Sequence, residues 1–493
     1  MIDLSSIPAL FPILFISGSL LIVLTGLRNH SLAQPIATLT ALLGAVAALY
    51  GLMGVAVDDA IRYSFGGWAP PIGIEFVLDG VSAFFLLVIN SVAALVLLHS
   101  AGTYRETLSE KTTAYYALTM LLLLGLNGMV LTGDLFNLYV FLEISSLASY
   151  GLISIGSRQA PYAAFRYLII GTVGGTFYLL GVGFLYAVTG TLNMIDIAGL
   201  IPEIATTTPV ITALILIITG VGIKAALFPM YGWLPEAYTN ANSISSALIA
   251  PIGTKVAAYI LIRIVLFVFG ADDVDRVLPI SQTVAYLAGF GILFGSLMAI
   301  SQRNLKRMLA FSSVSQIGYI LMGVALMNPF GFAGALFHVL NHALMKSALF
   351  LVSATIERGE GHNDLTRFDD TYRKKYPYTM AIFTLAAISM IGLPPLAGFF
   401  SKWMLALGTL EAGNWFLFIV ILSSSLLNAV YFFRILERVY LKKTDQKESS
   451  DASFEDSPWI MRIPALILSL ALLGFGFANA PVLEMIQLWF PAP

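Results

Sequence analysis

Five charged side chains lie deep inside long apolar stretches of this sequence: Glu143, Lys224, Lys255, Lys346 and Lys402. A charge at the centre of a bilayer costs roughly 2.5–3.5 kcal/mol on insertion scales, so such a group usually faces a partner or a hydrated path. All the deep cations in this set are lysines. A buried lysine can release and rebind a proton, whereas an arginine stays protonated. This set of residues therefore indicates proton transfer across a membrane.

Glu143 and Lys224 are the best candidates for an interacting pair. Glu143 stands in LFNLYVFLEISSLASYG (135–151), and Lys224 stands in GVGIKAALFPMYGWLPEAY (220–238). A nearby carboxylate favours the charged form of a lysine. A Glu–Lys pair whose separation changes therefore switches its affinity for protons. The alternative, a lysine that snorkels to the interface, is disfavoured by the depth of Lys224 in its span.

His338, His342 and Lys346 follow one another at intervals of four residues in FHVLNHALMKSALF. This spacing puts the three side chains on one face of a helix. A helix–helix contact satisfied by hydrogen bonds is one interpretation. Zinc is disfavoured, because the lysine repels a metal and neither a cysteine nor a nearby acid completes the ligand set. A hydrated proton relay is the better use of groups that titrate near neutral pH.

Other charged residues have simpler interpretations. Asp79 and Asp134 stand at the ends of apolar stretches, where such acids often cap helices. Arg303, Lys306 and Arg307 are most simply explained as a basic anchor on the cytoplasmic side.

Two apolar stretches are interrupted by prolines: Pro229 and Pro235 in the first, Pro394 and Pro395 in the second. Proline inside a helix removes a hydrogen bond and clashes with the preceding turn. In a membrane, a broken helix survives only against protein or a water-filled cavity. A pair of interrupted spans in corresponding positions is typical of an inverted repeat with an ion site at mid-depth.

The composition requires a membrane protein. The chain has 493 residues, of which 58% are hydrophobic and 11% charged, whereas soluble domains carry about 25% charged residues. The absence of cysteine excludes disulfides, thiolate metal sites and cysteine nucleophiles. No nucleotide-binding, haem or iron–sulfur motif occurs, and the net charge of -2 favours no nucleic-acid partner. We expect no cofactor, no metal site and no catalytic residues, and a secondary transporter subunit is favoured over an enzyme.

The apolar stretches predict an all-α polytopic fold with about fourteen transmembrane helices. The segments are 1–110 with spans 1–3, 111–270 with a first five-helix repeat (spans 4–8), 271–440 with a second, inverted repeat (spans 9–13), and 441–493 with a cytoplasmic loop and span 14. The predicted spans are 7–27, 35–57, 77–99, 113–132, 135–156, 162–188, 208–232, 243–268, 281–300, 306–327, 331–356, 377–409, 414–438 and 458–480.

The distribution of Lys and Arg predicts that both termini lie outside a bacterial or archaeal inner membrane. The opposite loops are poor in cations, with Arg62 and Arg276 among acids such as Asp58, Asp59 and Asp273. The predicted inside loops carry Arg28, Arg105, Lys111, Arg158, Arg303, Lys306, Arg307, Arg367, Arg373, Lys374, Lys375, Arg434, Arg438, Lys442, Lys443 and Lys447.

Several of these segments together resemble the antiporter-like subunits shared by respiratory complex I and the Mrp-type Na⁺/H⁺ antiporters. Within that family, TGDLFNLYVFLE and the chain length are most similar to the D-type Mrp subunits. The segments that carry the resemblance are FVLDGVSAFF, TGDLFNLYVFLEISSLASYG, GIKAALFPMYGWLPEAYTNANSISSALIAPIGTKVAAYILIR, SQRNLKRMLAFSSVSQIGY, FHVLNHALMKSALF and GLPPLAGFFSKW.

The resemblance implies two inverted repeats with discontinuous seventh and twelfth helices. It also implies a Glu143–Lys224 pair, a central relay through Lys255 and the His338 helix, and a gate to the outside at Lys402. The implied partners are other membrane subunits of an Mrp-type complex, the lipid bilayer, H⁺ and Na⁺. A proton-pumping subunit of a complex I-type enzyme or of an ion-pumping hydrogenase is the alternative. An inert scaffold is disfavoured because it gains nothing from buried lysines.

Overall fold

The computed structural model describes residues 4–55, 60–276, 278–442 and 456–491, and the chain there is almost entirely helical. Four residues that the charge pattern assigns to loops, Asp58, Asp59, Lys443 and Lys447, lie outside the described residues, as does the end of the predicted span 35–57.

Twenty-one α-helices are defined in the described part of the chain. The last helix of the first predicted repeat continues into a π-helical stretch, Arg263–Phe269. In chain order the helices are α1 Ile7–Gly26, α2 Ala33–Val55, α3 Gly80–Ser100, α4 Tyr104–Thr107, α5 Thr112–Leu131, α6 Leu135–Ser154, α7 Ala160–Thr189, α8 Met194–Ile204, α9 Thr208–Ala225, α10 Leu234–Asn240, α11 Ser243–Ile262, α12 Ala271–Val274, α13 Ile280–Ile300, α14 Leu305–Ala325, α15 Pro329–Glu360, α16 Asp370–Lys375, α17 Pro377–Ile391, α18 Ala397–Glu411, α19 Trp415–Tyr440, α20 Trp459–Phe477 and α21 Asn479–Gln487.

Thirteen helices of the described residues are long and apolar enough to cross a membrane. The remaining predicted span, 377–409, is divided into α17 and α18, each of 15 residues. The all-α polytopic fold is therefore confirmed. Among the spans, the predicted end at 232 differs most from the structure. There α9 ends at Ala225, and the chain forms a second helix, α10, that ends at Asn240.

A short antiparallel hairpin between α2 and α3 was not predicted. Its strands are β1 Ile61–Ser64 and β2 Glu75–Leu78, with Ile61 opposite Leu78. Four-residue strands give too few alternations to register as a period of two, and β2 runs directly into an apolar helix.

The seventh and twelfth spans are broken. α9 ends at Ala225, and Ala226 takes a left-handed conformation with φ of 59°. Pro229 lies in the break, but Pro235 lies in the first turn of α10. The interpretation of Pro235 as a breaking residue is therefore wrong, since proline at that position leaves no hydrogen bond unmade. The second break runs from 392 to 396 and holds Pro394 and Pro395.

The helices that carry the charged residues lie at the centre of the bundle. α14 and α15 are buried along their apolar windows, and α15 packs against α11, α14 and α18. In contrast, α1, α2, α7 and α19 expose rows of large apolar side chains, as expected for helices in contact with lipid or other subunits. The interior of the bundle carries a row of side chains, which we call the row: Glu143, Lys224, Lys255, His338, His342, Lys346 and Lys402. The row lies away from the apolar exterior except near α6 and α7.

The elements from α5 to α11 recur in the same order from α13 to α19, with a break in the fourth long helix of each series. This order agrees with two repeats, whose inverted relation stays a prediction. The matching local features are isolated β-bridges at Asp134–Asn193 and Asn304–Asp364, left-handed helix ends at Gly190 and Gly361, and left-handed residues at the breaks, Ala226 and Gly392.

Candidate functional site

Glu143 on α6 and Lys224 in the last turn of α9 form an ion pair inside the bundle. The Lys224 Nζ lies 3.5 Å from the Glu143 Oε1. The lysine side chain is 6% exposed and the glutamate 25%. Lys224 also donates to the hydroxyl of Ser146 at 2.7 Å and approaches that of Tyr150 at 3.4 Å. Because Ser146 and Tyr150 follow Glu143 by three and seven residues, α6 presents all three on one face.

Two glycines of α7 leave room for this pair. A Cβ at Gly175 would lie 2.4 Å from the Glu143 Oε1, and a Cβ at Gly171 would lie 2.1 Å from the Tyr150 hydroxyl. Such distances are shorter than any normal contact. Glycine at these positions is therefore what allows α7 to pack directly over the ion pair.

A small cavity of about 30 Å³ is lined by Lys224 and by Thr254, the residue that precedes Lys255. It is lined by Ser146, Tyr238 and Thr254 among others, and its volume is close to that of one water molecule. Lys255, on α11, is buried beside it. Its Nζ donates to the Ala250 carbonyl at 2.6 Å and lies 3.4 Å from the Thr254 hydroxyl.

His338, His342 and Lys346 lie along one face of α15, which we call the α15 stripe. All three are fully buried. His338 contacts Gln316 Oε1 through Nε2 at 2.9 Å and Ser401 Oγ through Nδ1 at 3.0 Å. Its ring stacks on that of His342, with centroids 6.0 Å apart. Neither ring nitrogen of His342 has a hydrogen-bond partner among the described residues. Buried polar groups are normally hydrogen-bonded, so the His342 imidazole is a group that a water molecule would satisfy.

Lys346 is held by the neighbouring helix rather than by an acid. Its Nζ donates to the Leu309 carbonyl and to the Ser312 hydroxyl, both on α14. This is a helix–helix contact satisfied by hydrogen bonds, as one interpretation of the stripe expected, and it leaves a role in proton transfer open.

Lys402 lies on α18 just beyond the second break. Its Nζ donates to the carbonyls of Met390 and Ile391, both at 3.0 Å, and lies over the ring of Tyr319 at 5.1 Å. These carbonyls end α17, where a helix presents unpaired acceptors and a partial negative charge. The break therefore supplies the acceptors for Lys402. The preceding residue, Ser401, contacts His338, which joins Lys402 to the α15 stripe.

The structure brings Glu143 to Lys224 and links Lys402 to His338 through Ser401. Over the described ranges, no three His, Cys, Asp or Glu side chains are arranged to hold a metal ion.

An ion pair that the sequence reasoning missed joins α3 to α11. The Arg263 guanidinium donates to both oxygens of Asp79, at 2.7 and 2.9 Å, and to the Tyr259 hydroxyl. Its side chain is 12% exposed, so the deep cations are not all lysines. Asp79 also caps α3, as expected of an acid at a helix start. The spacing Lys255–Tyr259–Arg263, one helical face, was the available signal.

Lys306 is not an exposed anchor. It is 4% exposed, donates to the Ala241 carbonyl at 2.6 Å and lies 3.8 Å from the Glu357 Oε2. Because α10 and α15 cover it, Lys306 also holds neighbouring helices together, and its position on the cytoplasmic side stays a prediction. Arg307, its neighbour, pairs with Glu236 on α10 at 3.1 Å.

These features define a class of polytopic membrane subunit with a buried row of lysines and histidines between two broken helices. A family model described as "NADH:quinone oxidoreductase/Mrp antiporter, TM" matches residues 132–428. The chain therefore belongs to this family of antiporter-like membrane subunits.

Relatives and solved structures span nearly the full length of the chain. The N-type subunit of the NADH-quinone oxidoreductase of Desulforudis audaxviator is 46% identical, covering 93% of this chain and 91% of that protein. The D-type subunit of the Na⁺/H⁺ antiporter of Alkalihalophilus pseudofirmus is 32% identical, covering 96% and 94%. A chain of the Mrp complex from Dietzia sp. superimposes with a TM-score of 0.89 at 27% identity, covering 99% of this chain and 97% of that chain.

Proposed function

We propose that this chain is the proton-translocating subunit of a multisubunit Na⁺/H⁺ antiporter of the Mrp type. The observation that carries the proposal is the Glu143–Lys224 pair, a carboxylate and a lysine 3.5 Å apart at the end of a broken helix. The likeness to the D-type antiporter subunits and to the Mrp complex chain supports the same interpretation. In this proposal the subunit carries protons, and Na⁺/H⁺ exchange is an activity of the assembled complex.

Protons move along the buried row in this proposal. Separation of Glu143 from Lys224 lowers the affinity of the lysine for its proton, which then passes to Lys255 through the small hydrated cavity. The imidazoles of His342 and His338 carry it to Lys402, with Lys346 adjusting the local charge. At Lys402, the carbonyls freed by the second break stabilise the ammonium before its proton leaves toward the outside.

The test uses vesicles that contain the assembled complex. Lys224→Ala and Glu143→Ala should each abolish Na⁺-dependent dissipation of a pH gradient while the subunits still copurify. Lys375→Ala is the matched control, because Lys375 is an ion-paired lysine outside the row. Exchange at the normal rate in both Lys224→Ala and Glu143→Ala would refute the proposal.

A second host complex is favoured by one observation, the 46% identity to an N-type subunit of an NADH-quinone oxidoreductase. In that case the same row pumps protons as part of a complex I-type enzyme or hydrogenase whose redox chemistry lies in other subunits. Copurification distinguishes the two: hydrophilic subunits with iron–sulfur clusters or flavin indicate the redox enzyme, and membrane subunits alone indicate the antiporter.

The multi-pass protein is placed in the inner membrane of a bacterium or archaeon in this proposal, with both termini outside. The two repeats are proposed to span 111–270 and 271–440 and to be inverted relative to each other. The row then runs from the first repeat into the second, and each repeat supplies one half of the proton path.

A further inference from the structure

A cavity of about 590 Å³ lies at the junction of α10 and α11, outside the row of lysines. Residues from both predicted repeats line it, including Glu106, Lys111, Asn242, Lys306 and Glu357. Its lining is rich in charged and hydroxyl side chains, and Glu106 and Glu357 are exposed there. A polar cavity of this size holds water.

Glu357 connects the cavity to the buried side of the protein. Its side chain is 44% exposed, but its Oε2 accepts a hydrogen bond from the Ser243 hydroxyl and lies 3.8 Å from the buried Nζ of Lys306. Ser243 is the first residue of α11, the helix that carries Lys255. Lys306 in turn donates to the carbonyl that follows α10, where the helix dipole favours a cation.

The Glu357–Lys306 pair resembles the Glu143–Lys224 pair, although Ser243 donates to the carboxylate whereas Ser146 accepts from the lysine. In each, the carboxylate is the more exposed partner, the lysine is almost fully buried, and a serine hydroxyl bonds to the pair. We propose that Glu357, held by Ser243 and Lys306, takes protons from the cavity and passes them to the α11 relay. The proposal rests on the proposed function and adds to it the group that loads the path.

Protonation of Glu357 changes how α10 is held. The carboxylate attracts the Lys306 ammonium, and a proton from cavity water neutralises that attraction. Lys306 then holds only the Ala241 carbonyl of the α10–α11 junction. The carboxyl then gives this proton to water beside the Ser243 hydroxyl, and the proton passes along hydroxyls and water to the neutral amine of Lys255. The carboxylate that remains attracts the Lys306 ammonium again.

Hydroxyl groups mark the path inward. Ser246 donates to the carbonyl of Tyr238 at 2.8 Å, and Tyr238 and Thr254 line the small cavity next to Lys224. Ser243 and Lys255 are twelve residues apart on α11, about 18 Å along a helix. Proton transfer from Glu357 to Lys255 therefore requires side-chain hydroxyls and water to bridge that distance.

The experiment measures Na⁺/H⁺ exchange against pH in vesicles of the assembled complex. Glu357→Gln keeps the size of the side chain but cannot accept a proton, so the rate should fall about tenfold or more. Glu357→Asp should retain part of the rate with a displaced pH profile, because the carboxyl is retained on a shorter side chain. The matched control is Glu360→Gln, one turn further along α15, where the carboxylate accepts from Tyr376 and does not line the cavity. Its rate should be unchanged.

Two outcomes separate this inference from the proposed function. Normal exchange in Glu357→Gln beside inactive Lys224→Ala overturns the loading role alone, whereas normal exchange in both variants overturns the proposed function. If Glu357→Gln fails to assemble, Glu357→Asp decides: a displaced pH profile supports proton loading, and a profile identical to that of the unmodified complex overturns it.

Discussion

The buried lysines differ in what their ammonium groups contact. Lys224 has a carboxylate partner, whereas Lys255 and Lys402 contact carbonyl and hydroxyl oxygens. A neutral acceptor stabilises an ammonium less strongly than a carboxylate does. The single carboxylate at Lys224 thus makes that end of the row the point at which proton affinity is set.

Lys402→Arg tests whether a lysine must release its proton. Arginine keeps the positive charge and can donate to the same carbonyls, but it does not deprotonate. We expect assembly to persist and exchange to fall about a hundredfold or more, a loss typical of a removed proton-transfer group. Exchange in vesicles is the measurement, and Lys375→Arg is the control. If Lys402→Arg exchanges normally, Lys402 is only an electrostatic support.

Sequence patterns single out the buried lysines more readily than the ion pairs around them, and the role of these lysines in proton transfer stays a prediction. Glu143 and Lys224 can be recognised from hydropathy alone, because each is a charged residue inside a long apolar stretch. Arg263 lies near the end of its span, and its partner Asp79 is 184 residues away along the chain. Depth along a helix can be read from a sequence, but burial of a span end depends on which other elements pack over it, as α10 and α15 do over Lys306.

The Asp79–Arg263 pair should contribute to stability rather than to transport. Asp79→Asn leaves a largely buried guanidinium without its anion, which should cost up to about 3 kcal/mol. In the double variant Asp79→Asn/Arg263→Gln the loss should be smaller than the sum of the single losses. The thermal unfolding midpoint of the purified complex is the measurement.

Arg276→Gln is the comparison for this cycle, because its pair with Asp273 is half exposed and should be worth less than about 1 kcal/mol. Additive shifts for Asp79 and Arg263 would mean that the two side chains are not energetically coupled.

Among the elements, the two broken helices depend on the residue that ends the helix before each break, α9 or α17. Gly392 has φ of 91°, in the left-handed region, and a Cβ there would lie 3.0 Å from Lys402 Cδ and 3.4 Å from its Nζ. Glycine therefore both ends α17 and leaves room for the lysine. Sequence reasoning identified this break from Pro394 and Pro395 but could not show that the lysine folds back over the turn.

Gly392→Ala should reduce exchange by displacing Lys402. It should also lower stability by about 1 kcal/mol, because a left-handed backbone disfavours a Cβ. Gly413→Ala is the control: φ is 65°, but no atom lies within 4 Å of the added Cβ. The two variants should lose similar stability, and only Gly392→Ala should lose exchange. Equal exchange rates would show that the position of Lys402 tolerates the displacement.

α10 belongs to the first series of helices, α5 to α11, but it is held in place by side chains of the second series, α13 to α19. Both basic residues at the start of α14 contact it or its end: Arg307 pairs with Glu236, and Lys306 donates to the Ala241 carbonyl. A movement of α10 relative to α14 must therefore break an ion pair. This contact could not be predicted from the sequence, because Glu236 and Arg307 belong to different segments whose packing only the fold defines.

Over the whole molecule, loops that are predicted to lie on the same side of the membrane are found at the same end of the helical bundle. The large cavity brings together Thr103–Lys111 with the loops near 156 and 242, all predicted to lie inside. A cavity of about 200 Å³ brings together the hairpin and the loops near 133 and 195, all predicted to lie outside. The spans thus alternate in direction as the charge bias requires, which leaves the side of the membrane to be measured.

Single cysteines can measure that side, because the chain has none of its own. Ile72 lies in the β1–β2 loop and is 83% exposed, and Arg367 lies between α15 and α16 with its side chain 67% exposed. The excess of Lys and Arg at the Arg367 end predicts that this end lies in the cytoplasm. A membrane-impermeant maleimide should therefore label Ile72→Cys in intact cells and Arg367→Cys only in inverted vesicles. The reverse pattern would invert the whole path, so that Lys402 would face the cytoplasm and the Glu357 cavity the outside, and protons would load from the opposite compartment.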